Sequence, residues 1–206
     1  MKSKIILIGG FNEIVELCYN NNIQIVGVLD NKTINLLGGI KYLGSDDDAP
    51  RLAVLFKKIP IVITPDLPIT RKKLYEYYMA NGYSFCSLVS HRAIISKSAS
   101  IETGSVVQSG VNVSAEVKIG KFVKINTNAN IMHNCIIGDF ATIAPNAVIL
   151  GYASIGPGCY IGANATILPG IKICENVTIG AGAVVTKNIE TPHTTFVGIP
   201  ASVMSR

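Results

Sequence analysis

The chain of 206 residues contains no tryptophan, only three histidines, and charged residues at just 15%. Each scarcity excludes something. Five cysteines, at 18, 86, 135, 159 and 174, show no paired or CxxC spacing, which fits a reduced compartment and excludes a metal knuckle. No apolar run is long and unbroken enough for a membrane span. The opening MKSKIILIGGFNE meets Gly, Asn and Glu too early for a signal peptide and reads as a first strand, so a cytoplasmic protein is expected. The net charge is +5 and diffuse: residues 1–93 carry 11 basic and 8 acidic side chains, the remainder 7 and 5. That suits anionic small molecules and offers no basic stripe for nucleic acid. An apolar content of 49% implies folded cores.

What is present falls into two halves. The first alternates strands and helices: KIILIG (4–9), EIVELCYNN, IQIVGVLD (23–30), a helix over GSDDDAPRLAVLFKK, IVIT (61–64), and a helix over TRKKLYEYYMANG ending at a glycine. Ser45 is the expected N-cap of the second helix, with Asp48 three residues on. Alternation of this kind predicts a parallel sheet flanked by helices.

The second half repeats every six residues. Ile95, Ile101, Val107, Val113, Ile119 and so on to Val185 make sixteen consecutive positions, all Ile or Val, without an insertion. Four residues after each stands a small or branched side chain, among them Ala129, Cys135, Ala141 and Ala147. A fixed short period of this kind predicts a solenoid of short strands. Three hexapeptides make one triangular coil of eighteen residues. Branched residues fill the narrow interior, and Gly or Asn turns the corners. Cys135 and Cys159 fall on the small interior position and read as buried hydrophobes.

His133 is the only histidine within the coils. It lies just past a corner. Gly151, eighteen residues on, stacks beside it at about one strand spacing, ~4.8 Å. An imidazole next to a bare backbone N–H is what acyl transfer requires: a base and an oxyanion donor. The segment NTNANIMHN adds asparagines where a polar groove would form. The plain alternative is a solvated turn residue.

Sixteen such hexapeptides, with IILIGG, GVLDN, RKKL (71–74), HRAIIS (91–96), the central INTNANIMHNCIIGDFATIAPNAVILG, IGAGAVVTK (179–187) and FVGIPAS (196–202), resemble the bacterial sugar acetyltransferases of left-handed β-helix fold. These are the nucleotide-4-amino-sugar N-acetyltransferases and the sialic acid O-acetyltransferases. The resemblance implies a Rossmann-like α/β domain that binds a nucleotide sugar (residues 1–90), then a left-handed parallel β-helix acetyltransferase domain with a C-terminal cap (91–206). It implies acetyl-CoA as co-substrate, no metal, and a homotrimer with active sites between subunits. His133 matches the general base and Gly151 the oxyanion donor. Gly9, Gly10, Phe11, Asp30, Asn31, Thr64 and Asn126 match substrate-binding positions. Thr142, Gly151, Ala163, Ala181 and Lys187 match acetyl-CoA positions.

The chain also departs from the pattern. Asn134 follows the base where relatives carry Asp or Glu, so that Asp139 or Glu116 becomes the candidate carboxylate. Thr142 replaces a histidine. The glycine loop is shortened to Gly9-Gly10-Phe11-Asn12, and Thr64-Pro65 follows the last strand with a two-residue insertion. His91 is expected to be structural at the domain junction, and His193 to lie on the surface.

The function implied is N-acetylation of the 4-amino group of a nucleotide-linked 4-amino-4,6-dideoxy sugar by direct transfer. The alternatives are O-acetylation of a sialic acid or related sugar, and a non-catalytic nucleotide-sugar-binding relative. A γ-type carbonic anhydrase shares the fold but needs three zinc histidines, and the coils supply one.

Overall fold

The computed structural model describes residues 3–32 and 37–204. The first part is a four-stranded, wholly parallel sheet. Its strands are β1 (Lys4–Ile8), β2 (Gln24–Leu29), β3 (Tyr42–Gly44) and β4 (Ile61–Ile63), in the order β3-β2-β1-β4. Period two divides β1 between two cores. Ile5 and Leu7 pack with Ile14, Val15, Leu17 and Cys18 of α1 (Asn12–Asn20). Ile6 and Ile8 face the other way, toward Ala49 and Leu52 of α2 (Ala49–Phe56) and Tyr78 of α3 (Pro68–Ala80).

The capping box anticipated from the sequence forms: the Ser45 N–H donates to Asp48 at 3.1 Å. It caps a 3₁₀ turn over Asp46–Asp48, after which α2 begins. The third helix starts two residues before the TRKKL pattern, because Pro68 has the fixed φ that suits a first helical turn. β3 was not anticipated. It is three residues long, and its sequence, YLG, is too short to show alternation.

From Leu88 onward the chain coils. Two-residue strands end on each of the sixteen Ile or Val positions, and Leu88–Val89 extends the series one hexapeptide earlier. Residues eighteen apart pair in parallel, giving three sheets, one on each side of the prism. The inward residues and the small residues of each corner form one continuous core. The corners explain the asparagines: from 104 to 182 every sixth residue takes a left-handed backbone, with Asn at 128, 134, 146, 164 and 176, Gly at 104, 110, 158, 170 and 182, and Glu116, Phe122, Phe140 and Tyr152 at the rest. At the far end Thr195–Val197 continues one sheet, and Ser202–Val203 folds back antiparallel on it.

The two parts share a seam. Asn21, at the end of α1, donates to Val89 O at 2.6 Å and accepts from the His91 N–H at 3.1 Å. His91 therefore fastens the junction, as its position suggested. Phe122 and Phe140, on successive coils, stack at 5.3 Å beneath Tyr75 of α3.

Burial pushes the Cys18 thiol up to about 12 and the Cys159 thiol to about 11. Both stay protonated at neutral pH and out of reach of solvent. Mass spectrometry after iodoacetamide treatment of the native protein at pH 7.5 is expected to find both unalkylated, with full alkylation once the chain is denatured.

Candidate active site

A cavity of ≈ 400 Å³ opens at the carboxyl edge of the parallel sheet, where β1 separates β2 from β4. That is the switch point at which open parallel sheets receive ligands. Gly9, Gly10, Phe11, Asp30 and Asn31, all marked out by sequence, line it, together with Lys32, Asp46 and Pro65. Asp30 is tightly held: its carboxylate accepts the N–H groups of Gly10 and Lys32, both at 2.9 Å. Asn31 and Asp46 are joined by reciprocal hydrogen bonds of 2.8 and 3.0 Å, and Tyr78 donates its hydroxyl to Asp46 at 2.6 Å. The floor is therefore preorganised rather than loose. Gly9 needs its φ of +90°, and a Cβ there would meet Thr64 Oγ1 at 2.6 Å.

Thr64 does not line the cavity. It is fully buried and donates to the carbonyls of Ile8 and Gly9, tying β4 to the glycine loop. Of the next residues, Pro65 was noted in the sequence only beside an insertion and Asp66 not at all; the structure makes them the hub of the seam. Asp66 Oδ1 receives Asn126 Nδ2 at 3.1 Å and pairs with Lys124 Nζ at 3.0 Å. Lys124 is 1% exposed, also donates to Thr64 O at 2.6 Å, and lies 5.5 Å from the centre of the Phe11 ring. Burial pulls its pKa below the ordinary lysine value, and Asp66 works against that pull.

Arg71 of α3 completes the hub. Its guanidinium donates to the carbonyls of Pro65 and Asp66 on one side, and of Phe122, Phe140 and Ala141 on the other. Burial lowers its pKa to about 10, so it stays charged at neutral pH. RKKL is conspicuous in the sequence, but nothing there tells which of its cations is buried.

The second element is the ridge carrying His133. The exposed imidazole lies directly on Gly151, so close that a Cβ on Gly151 would stand 2.7 Å from Cε1 and 2.8 Å from Nε2. The His133 carbonyl accepts the Tyr152 N–H at 3.0 Å, and the Tyr152 ring meets the imidazole edge-on at 5.2 Å. Nδ1 is 3.1 Å from Asn134 Oδ1. An amide oxygen only accepts, so this contact selects the tautomer with hydrogen on Nδ1 and leaves Nε2 with its lone pair. Asn134 has a φ of 60°, a backbone that Asn tolerates better than most residues. The departure from an acidic residue thus keeps the orienting contact while giving up its charge. Of the two carboxylates proposed as substitutes, Asp139 is engaged elsewhere, accepting the Lys121 N–H at 2.8 Å, and Glu116 stands at the corner one coil below Asn134.

Gly151→Ala tests this stacking. The backbone of Gly151 is not left-handed, so alanine fits the chain, but its Cβ displaces the imidazole. The expected result is a near-normal Tm with a turnover loss of about tenfold to 10²-fold, since a misplacement of about 1 Å is enough for that.

The remaining sequence candidates divide by edge. Lys187 is three coils above His133 on the same corner, exposed, and lines a hollow of ≈ 250 Å³ with Phe196 and Pro200 of the cap. Asn126, Ala163 and Ala181 follow a different sheet and occupy the next corner. One chain therefore holds the two groups on opposite margins of a sheet. Thr142 belongs to neither. It is fully buried against the first half and donates its hydroxyl to the Asp66 carbonyl.

Residues 116–151 and 152–187 match the bacterial transferase hexapeptide family (six repeats). Over the whole chain the fold is similar to that of several solved structures, among them an acetyltransferase domain. The acetyltransferase domain of PglB from Neisseria gonorrhoeae, solved with acetyl coenzyme A, superposes with a TM-score of 0.90 at 28% identity, covering 99% of this chain and 100% of that one. WeeI from Acinetobacter baumannii gives 0.81 at 26% identity, covering 98% and 100%. PerB from Caulobacter crescentus, solved with CoA and GDP-perosamine, gives 0.92 at 24% identity, covering 98% of each chain, and shares the fold. No curated protein sequence matches the chain significantly.

Proposed function

We propose that this chain is an acetyl-CoA-dependent N-acetyltransferase acting on the 4-amino group of a nucleotide-linked 4-amino-4,6-dideoxy sugar. The observation that carries the reading is the imidazole of His133 seated on Gly151 and turned by Asn134 so that Nε2 is free to accept a proton. Similarity to the PglB acetyltransferase domain over the full length of both chains supports the class of reaction.

Residues 1–90 form a Rossmann-like unit whose cavity takes the nucleotide, and residues 91–206 form a left-handed β-helix that carries the transfer. In the reaction, His133 Nε2 removes the proton from the sugar amine as its nitrogen attacks the thioester carbonyl. The Gly151 N–H faces the oxygen that becomes negative, and a donor already in place stabilises it without reorganisation. Collapse of the tetrahedral species expels the coenzyme thiolate, and the protonated imidazole returns its proton to the sulfur. Transfer is direct, so no acyl-enzyme forms.

The two margins of candidate residues support a homotrimer. Threefold packing would bring His133, Gly151 and Lys187 of one copy against Asn126, Ala163 and Ala181 of the next, joining the base and the coenzyme channel. The compartment proposed is the cytoplasm, where activated sugars and acetyl-CoA are both available.

The test is thiol release from acetyl-CoA with a panel of UDP-, dTDP- and GDP-linked 4-amino sugars. Turnover on one member is expected. Acetyl-CoA binding without turnover on any member would shift the assignment to O-acetylation or to a binding role.

A further inference from the structure

Asn and Gly fill most of the left-handed corners between residues 104 and 182, because they tolerate positive φ at the least cost. Three aromatic residues break that rule: Phe122, Phe140 and Tyr152, with φ of 54°, 61° and 62°. A bulky side chain at positive φ is an outlier whose conformation the surroundings must support. For two of them the support is a core. Phe122 is 3% exposed and stacks with Phe140 beneath Tyr75, in the cluster that joins α3 to the coils. Tyr152 has no such setting. It is 65% exposed, and among the described residues its one ring contact is with the imidazole of His133, at 5.2 Å between centroids and 85° between planes.

The two residues are joined twice. The Tyr152 N–H donates to the His133 carbonyl at 3.0 Å, and perpendicular rings at this separation attract one another. Tyr152 stands eighteen residues after Asn134, so the pair occupies one corner on successive coils, and the imidazole touches both. Gly151 closes the side next to Cε1 and Nε2. The need for a second contact follows from the first. Nδ1 and Asn134 Oδ1 form a neutral hydrogen bond between exposed groups, which is a weak hold on a ring that otherwise turns freely in water. A carboxylate at that position would hold the ring with a charge-assisted bond, roughly twice as strong.

Resting on the acetyltransferase reading, we infer that Tyr152 is a positioning residue for the base. Its ring braces the His133 imidazole against Gly151, so that Nδ1 stays on Asn134 and Nε2 stays turned to the acceptor. The brace makes up for the charge that Asn134 lacks, and it accounts for an exposed tyrosine held in a backbone that favours Asn or Gly. The hydroxyl plays no part; the ring alone does the bracing.

The experiment measures steady-state acetyl transfer by full-length wild type, Tyr152→Gly and Tyr152→Phe, on the panel member that wild type turns over. Glycine suits the left-handed backbone, as at five other corners of this chain, and brings no new side-chain contact. Tyr152→Gly is expected to lower kcat about threefold to tenfold, the rate equivalent of one edge-to-face aromatic pair, with both KM values and Tm near those of wild type. Tyr152→Phe keeps the ring and is expected to keep kcat. In a His133→Ala background Tyr152→Gly is expected to change kcat no further, because a residue that acts through the imidazole has nothing left to act on. Nitrogen NMR of histidine-labelled protein reads the brace without turnover. The Nδ1–H tautomer of His133, assigned by its disappearance in His133→Ala, is expected to give way to a mixture of tautomers in Tyr152→Gly. A glycine variant with unchanged kcat and tautomer overturns the brace, as does a further loss in the His133→Ala background or a phenylalanine variant as slow as the glycine one. A wild type idle on every panel member removes the acetyltransferase assignment, and the nitrogen spectrum then decides the brace by itself.

Discussion

His133→Ala is expected to lower kcat for acetyl transfer by about 10²-fold or more, with little change in either KM, because a general base acts on the transition state far more than on the bound substrates. The substitution removes an exposed ring, so Tm stays near the wild-type value. A companion variant separates the role of the base from that of its setting. Asn134→Asp restores the carboxylate that relatives carry and retains an acceptor for Nδ1–H. It is expected to hold or raise kcat and to move the acid limb of the pH profile upward, since a negative neighbour favours the protonated imidazole. A structural role for His133 would show neither effect. Steady-state thiol release across pH reads both.

The second large effect is on stability. Arg71→Met removes the guanidinium that five backbone carbonyls share across the seam. Burying those acceptors unpaired is the dominant consequence, and loss of a buried charged partner costs about 3–5 kcal/mol. For a chain of this size that corresponds to a Tm lower by roughly 6–20 °C, at about 2–4 °C per kcal/mol. Arg71→Lys keeps the charge but reaches fewer carbonyls, and falls between. Differential scanning calorimetry distinguishes these outcomes. The expected order is wild type, then lysine, then methionine; a methionine variant as stable as wild type would show that the carbonyls find water instead.

The two effects differ in how visible they are in the sequence. His133 and Gly151 are legible because a strict period fixes neighbours eighteen residues apart, so a contact between coils can be read by counting. The same period explains Asn134 only once its backbone is known: from sequence it looks like a lost charge, and in the structure it is a corner residue that still orients the ring. Arg71, Lys124 and Asp66 have no such ruler. Their contacts span some 60 to 70 residues between parts with different periods. Nothing local marks Arg71 among its neighbouring lysines as the buried one. Thr64 and Thr142 were placed near ligands by position in a pattern, yet both serve the seam, because a small hydroxyl that can reach a carbonyl is well suited to a dry interface. Within the first half, β1, β2 and β4 were legible as apolar runs, whereas the three residues of β3 carry no pattern of their own.

The most direct test of the central claim is to identify the product. Wild type is incubated with acetyl-CoA and the nucleotide 4-amino sugar it prefers, and the product is analysed by NMR, with His133→Ala alongside. An acetamide at the C4 nitrogen is expected, formed at a rate that collapses in the variant. Acetyl found on a ring hydroxyl, or an acetamide formed equally fast without His133, would contradict it.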